Sequence, residues 1–219
     1  MDSRYRLERS SSRAAEFHAR PVPDPADRVV WWHEVTTPAL VLGSTQSSSV
    51  VDVDACRAAG VDVVRRRSGG GAVLLRPAEV TWVDVVVPRG ASGWADDVHA
   101  PMVWLGGHLA ETFRSLLPER TITVHDAPTA STDFSALVCF DGLGAGEVLL
   151  GGHKLVGISQ RRTRHAARLQ CCWYSAHDPV NLVDLLAASV RPPWGRLRPV
   201  ATVPADVAAA VPAALAARL

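Results

Sequence analysis

The chain has 219 residues, 47% hydrophobic and 21% charged, with a formal net charge of +1. That size and composition suit one well-buried globular domain over residues 1–219 and leave too little chain for two ordinary ones. Near-neutral charge argues against nucleic acid as a partner, and no apolar run is long enough to span a membrane, so a cytoplasmic protein with no membrane partner is expected.

In chain order, Ser11 is expected to cap a short helix carrying Ala14, Ala15 and Phe17, which the stretch Pro21 to Pro25 stops. Five β-branched or aromatic runs follow: Val29 to Val35, Ala39 to Leu42, Val61 to Val64, Ala72 to Leu75 and Val80 to Val87. From Val98 the period changes. Val98, Met102, Leu105, Leu109, Phe113 and Leu116 share one helical face, and Pro118 ends the pattern. Ile122 to Val124 reads as a strand, and the glycine-rich run from Cys139 to Glu147 as a mobile loop. Glu147 to Leu150 and Lys154 to Ser159 read as two strands joined by a hairpin at Gly151-Gly152, and Leu169 to Trp173 as a further strand. A helix should start at Asp178-Pro179 and run through Leu182, Leu185 and Leu186. One or two short helices, broken at Pro204 and Pro212, should end the chain. Successive strands before a long helix predict a single α+β domain, with a largely antiparallel or mixed sheet flanked by helices.

Four cysteines, Cys56, Cys139, Cys171 and Cys172, show no framework spacing and read as reduced thiols. Neither Cys-x-x-Cys nor His-x-x-x-His accompanies Cys171, Cys172 and His177, so no metal site is expected.

The segment Arg65-Arg66-Arg67-Ser68-Gly69-Gly70-Gly71-Ala72-Val73 carries the strongest chemical signal. Consecutive glycines let backbone N–H groups approach an anion, and arginines supply forked permanent charges, so the segment suits a carboxylated or phosphorylated ligand. Neither a dinucleotide fingerprint nor a P-loop is present: Gly142-x-Gly144-x-Gly146 lacks its third glycine, and His153-Lys154-Leu155 lacks the Gly-Lys-Ser/Thr ending.

Three segments, in order, resemble the lipoate-protein ligase and octanoyltransferase family, which shares a catalytic fold with biotin-protein ligases. They are Ala39 to Gln46 with its Gly-x-x-Gln turn, the Arg65 to Val73 run, and Gly152 to Arg162, which is similar to the family's Gly-x-Lys-hydrophobic-x-Gly-x-x-Gln-x-Arg. The resemblance implies a biotin/lipoate ligase-type catalytic domain. It implies Lys154 as the catalytic donor to acyl carbonyl or phosphate, with Arg65, Arg66, Ser68, Gly69, Gly70, Gly71, Ala72, Gly157, Ile158 and Ser159 around the ligand. Lipoate or octanoate would be the acyl substrate. ATP and Mg²⁺ would accompany a ligase that works through an acyl-adenylate. The partners would be lipoyl carrier domains of 2-oxoacid dehydrogenase complexes or a glycine-cleavage H-type protein.

One octanoyltransferase branch has a Cys-Phe pair about fifteen residues before its lysine, and its cysteine forms an acyl thioester. Cys139-Phe140 stands at that interval from Lys154, which implies an ATP-independent alternative with acyl-carrier protein as donor. The Ser-Gly-Gly-Gly spelling leans toward the ligases. Against them, Leu74-Leu75-Arg76-Pro77 stands where many ligases have His-Asp, Leu169-Gln170-Cys171 stands where they have His-His-Gly, and no small accessory domain is read. A third reading keeps the pocket without chemistry, as a non-catalytic acyl- or nucleotide-binding module.

Overall fold

The computed structural model describes residues 4–219. In chain order it contains β1 (Arg6–Ser12), α1 (Ala14–Ala19), β2 (Val29–Val35), β3 (Ala39–Leu42), α2 (Val53–Ala58), β4 (Asp62–Arg65), β5 (Val73–Leu75), β6 (Val80–Pro88) and α3 (Ala100–Leu116). Then follow β7 (Ile122–Val124), β8 (Val148–Leu150), β9 (His153–Arg162), β10 (Ala166–Tyr174), α4 (Pro179–Val183) and α5 (Ala205–Arg218).

Seven strands form one sheet in the order β1-β2-β6-β10-β9-β8-β7, and a smaller sheet has the order β4-β3-β5. Both are mixed. The β1–β2 and β3–β4 pairs are parallel, and the remaining ladders are antiparallel. The interior strand β6 is buried on both faces, which suits its richness in valine.

On one face of the large sheet, α3 and α5 close the main core. Leu105, Leu109 and Phe113 of α3 are fully buried, and Phe113 meets Trp173 of β10 edge to face at 5.6 Å. Replacing a ring so enclosed by alanine costs about 3–5 kcal/mol. The helix begins two residues later than its apolar spacing suggested. Asp97 accepts from the backbone N–H of His99 (3.1 Å) and Ala100 (2.9 Å), so Val98 stays outside and exposed. On the opposite face, α1 and the small sheet enclose a second cluster that includes Phe17, Val41, Val73, Leu75, Trp82 and Phe140.

Several expectations need correction. Ser11 lies in β1 and caps nothing; α1 starts after Arg13, and Ser12 bonds Glu16 across its first turn. The α4 helix stops at Val183, and Leu185 and Leu186 follow it as buried loop residues. Pro212 lies inside α5 without breaking it, because Val211, Pro212 and Leu215 are buried against the rest of the fold. The glycine-rich run expected to be mobile is seated in the core: Phe140, Asp141, Ala145 and Glu147 are buried. Gly146, at φ +82°, lies so close to α3 that a Cβ there would sit 2.1 Å from the Met102 carbonyl oxygen, which makes glycine obligatory at this contact.

Candidate active site

The three motif segments meet between the two sheets. Residues 135–139 run beside the glycine loop: the Ala72 N–H donates to the Leu137 carbonyl (2.7 Å), and the Cys139 N–H donates to the Ala72 carbonyl (3.0 Å). Gly71 permits this approach, because a Cβ at that position would lie 2.7 Å from Cys139 N and 2.8 Å from the Ser135 oxygen. The glycine run therefore sets where Cys139 sits, and a Cβ built on Gly70 would touch its Sγ at 3.5 Å.

A half-open pocket lies here, with apolar walls from Val41, Val73, Leu75, Trp82, Phe140 and Ile158. Of the residues expected at the site, Arg66, Cys139, Gly157, Ile158 and Ser159 line it. Ser68 is buried behind them, its hydroxyl 3.0 Å from that of Ser159 and 3.3 Å from Gln170 Oε1. Gly157 pairs with Cys172 across the β9–β10 ladder and lies against the Phe140 ring.

Both motif arginines bind backbone. Arg65 donates to the carbonyls of Gly43 (2.8 Å) and Gln46 (2.5 Å), closing the turn after β3. Arg66 is buried and donates to the carbonyls of Gly69 (2.7 Å), Gly71 (2.8 Å) and Val41 (3.3 Å). The Arg66 guanidinium shapes the glycine loop from within and has every nitrogen committed, whereas Arg65 bonds through Nη1 alone and keeps Nε and Nη2 on the exposed side.

Lys154 rises from the start of β9 into the interior. Its Nζ donates to the carbonyls of Cys139 (2.9 Å) and Gly142 (3.0 Å), pairs with Glu147 Oε2 at 2.7 Å, and lies 4.9 Å from the centre of the Phe140 ring. Burial by itself would lower the Lys154 pKa, but the Glu147 carboxylate outweighs it and holds the ammonium above its ordinary range. Glu147 also accepts from the backbone N–H of Gly144 (2.8 Å) and Ile158 (3.1 Å). Sequence reasoning passed over Glu147. The available signal was a lone acid between Gly-Ala-Gly and Val-Leu-Leu, a setting that buries it and so demands a cation. His18 and Gln170 also line the cavity without having been singled out for it.

Among the cysteines, burial pushes the Cys172 thiol up to about 12 and the Cys171 thiol well above its ordinary value, so both stay protonated near neutrality. Cys139, Cys171 and Cys172 all line the cavity, and Cys172 is half-buried like Cys139; what sets Cys139 apart is its place beside the glycine loop, with its own carbonyl held by Lys154.

The model of the lipoyl protein ligase A/B catalytic domain matches residues 15–217. The chain belongs to this family. Within it, the chain is 28% identical over 152 residues to octanoyltransferase LipM of Staphylococcus aureus, an alignment covering 68% of this chain and 53% of that protein. The chain thus spans about half the length of that curated relative. Among solved structures, the Thermoplasma acidophilum protein Ta0514 with bound lipoic acid superposes with a TM-score of 0.70 at 15% identity, over 97% of this chain and 82% of that one. A bi-partite lipoate protein ligase from the same organism, studied with its E2 lipoyl domain, gives 0.68 at 14% identity, over 96% and 81%. At such identities these two superpositions establish the shared fold. Among the described residues no helix is long and apolar enough to cross a membrane.

Proposed function

We propose that this chain is an acyltransferase that takes a medium-chain acyl group, octanoyl in the first instance, from a thioester of acyl-carrier protein onto Cys139 and hands it to a lysine of a lipoyl carrier domain. The observation that carries this reading is the position of Cys139: half-buried at the wall of an apolar cavity, beside the glycine loop, with its own carbonyl held by Lys154. The likeness to LipM points the same way.

The chemistry follows from that position. The Cys139 thiolate attacks the acyl carbonyl, the donor's C–S bond breaks, and the carrier thiol leaves with a proton. The free amine of the acceptor lysine then attacks the Cys139 thioester, a C–N bond forms, the C–S bond to Cys139 breaks, and the proton lost by the amine passes to the released Cys139 sulfur. Apolar walls hold the chain and exclude water from the thioester. Glu147 and Lys154 fix the peptide that carries the nucleophile.

For the ligase alternative, ATP would need cations for its phosphates. Arg66 is bound to carbonyls and Lys154 to carbonyls and Glu147, so these two do not fit phosphate as they stand, and only Arg65, through Nε and Nη2, keeps donors open to it. Lipoyl domains of 2-oxoacid dehydrogenase complexes and H-type proteins are the proposed acceptors, in keeping with the E2 domain studied with the Thermoplasma ligase.

Intact-mass analysis tests the reading. The chain is incubated with octanoyl acyl-carrier protein and a lipoyl domain without ATP, and separately with octanoate or lipoate, ATP and Mg²⁺. The expected result is carrier acylation in the first mixture, an octanoyl adduct on Cys139 labile to hydroxylamine, and loss of both in Cys139→Ala. Acylation in the second mixture alone overturns it in favour of a ligase, and acylation in neither favours a binding module.

A further inference from the structure

An ammonium has three N–H donors, and all three of Lys154 are committed, to Glu147 Oε2 and to the carbonyls of Cys139 and Gly142. Both side chains of the ion pair are almost fully enclosed, at 3% and 4% exposure. Glu147 is fixed in turn by two backbone N–H groups, from Gly144 and Ile158. The pair is neutral as a unit, and Lys154 can reach a ligand only by giving up one of these partners.

We infer that Glu147 is a specificity-determining residue, which selects neutral acyl thioesters over anionic acyl-adenylates by neutralising Lys154 and holding it to the backbone. An adenylate phosphate drawn to Lys154 would come within a few ångströms of the Glu147 carboxylate, in surroundings too enclosed for water to screen the repulsion. The charge count makes the contrast sharper. On the thioester route a single negative charge enters as the Cys139 thiolate and moves to the carbonyl oxygen when the C–S bond forms. On the adenylate route the phosphate keeps its charge while a second develops on the carbonyl oxygen. A site whose lysine is already neutralised can accommodate the first sequence and is poorly made for the second. The inference rests on the thioester reading of Cys139 and adds to it a reason why the fold's lysine does not recruit a nucleotide.

The test uses two ligands with the intact chain: octanoyl-sulfamoyl-adenosine, an anionic mimic of octanoyl-adenylate, and a matched analogue in which an uncharged amide joins octanoyl to adenosine. Binding is measured by titration calorimetry for the unaltered chain, Glu147→Gln and Glu147→Asp. The unaltered chain and Glu147→Asp should not favour the anionic ligand. Glu147→Gln should bind that ligand tighter by about tenfold or more, with affinity for the neutral one little changed. A variant that merely damaged the fold would lose affinity for both, so a gain confined to the anion cannot come from misfolding. The inference is overturned if Glu147→Gln shows no such gain, or if the unaltered chain itself prefers the anionic ligand by tenfold. An ATP-free octanoyl transfer assay on the same samples separates the two levels. Transfer without the Glu147→Gln gain removes this inference alone, and acylation that requires ATP removes the thioester reading with it.

Discussion

Two buried carboxylates, each paired with a buried cation, divide the molecule between them. Asp84, fully enclosed on β6, accepts from Arg168 Nε (2.7 Å) and a second Arg168 nitrogen, from Trp82 Nε1 (2.8 Å), and lies 3.0 Å from His33 Nε2. Arg168 continues to the carbonyls of Phe17 and Arg20, each at 2.7 Å, so this pair fastens α1 to strands β2, β6 and β10. Glu147 and Lys154 instead clamp one short stretch, the peptide from Cys139 to Gly144 that carries the proposed nucleophile. The arginine meets its partners as a planar fork that suits a fixed junction. The lysine is a compact point charge whose three bonds can be exchanged one at a time. The same physics of buried compensation thus serves a framework in one place and a reaction centre in the other.

Removing either cation should be costly for the same reason and differ in what is lost. Lys154→Met strands Glu147 without a partner and frees the carbonyls of Cys139 and Gly142. We expect a stability loss of about 3–5 kcal/mol in urea unfolding together with a fall in transfer rate of at least about a hundredfold. Arg168→Met should cost about the same stability, yet the folded fraction should transfer acyl groups within about threefold of the unaltered chain. If steady-state rates corrected for folded protein fell alike in both variants, the division between framework and reaction centre would be wrong.

A smaller effect should appear when the whole pair is replaced. Glu147→Leu with Lys154→Met removes both charges, so unfolding stability should recover by about 2 kcal/mol or more over Lys154→Met while the transfer rate does not. Recovery of rate along with stability would mean the pair supports packing only.

The sequence displayed one half of this comparison better than the other. Lys154 was legible because the segment Gly152 to Arg162 resembles a family motif, and α3 because its apolar period holds from Met102 to Leu116. Glu147 was not, since a single acid has no periodicity, and only the packing of Gly146 against Met102 shows that the loop around it is interior. The roles of Arg65 and Arg66 were hidden for a related reason: an arginine beside glycines reads as an anion site until the carbonyls that fold back on it are located. β1 and α2 escaped notice because β1 has one large apolar residue, Leu7, in seven and relies on parallel pairing with β2, while α2 has too few residues to show a period.

Acid and alkali should separate the two pairs. Burial would raise the Asp84 pKa, but His33 and Arg168 hold its carboxyl well below the usual range. Its stabilisation is therefore present above about pH 4 and lost as pH falls through the depressed folded value. For Lys154 the folded pKa is raised, so its contribution is complete below about pH 10.4 and lost as pH climbs past that. Between these limits His18 should give the mildest response. It stacks on Trp82 at 4.6 Å, lies 3.4 Å from Gln170 and lines the cavity, and burial lowers its pKa to about 4. The unfolded chain takes up a proton between about pH 6.5 and 4 that the folded chain refuses, so stability should decline across that window by up to about 3 kcal/mol. His18→Phe should flatten this part of the curve and leave the steeper loss near Asp84 in place. An unchanged slope between pH 6.5 and 4 in that variant would show that His18 is not the group responsible for it.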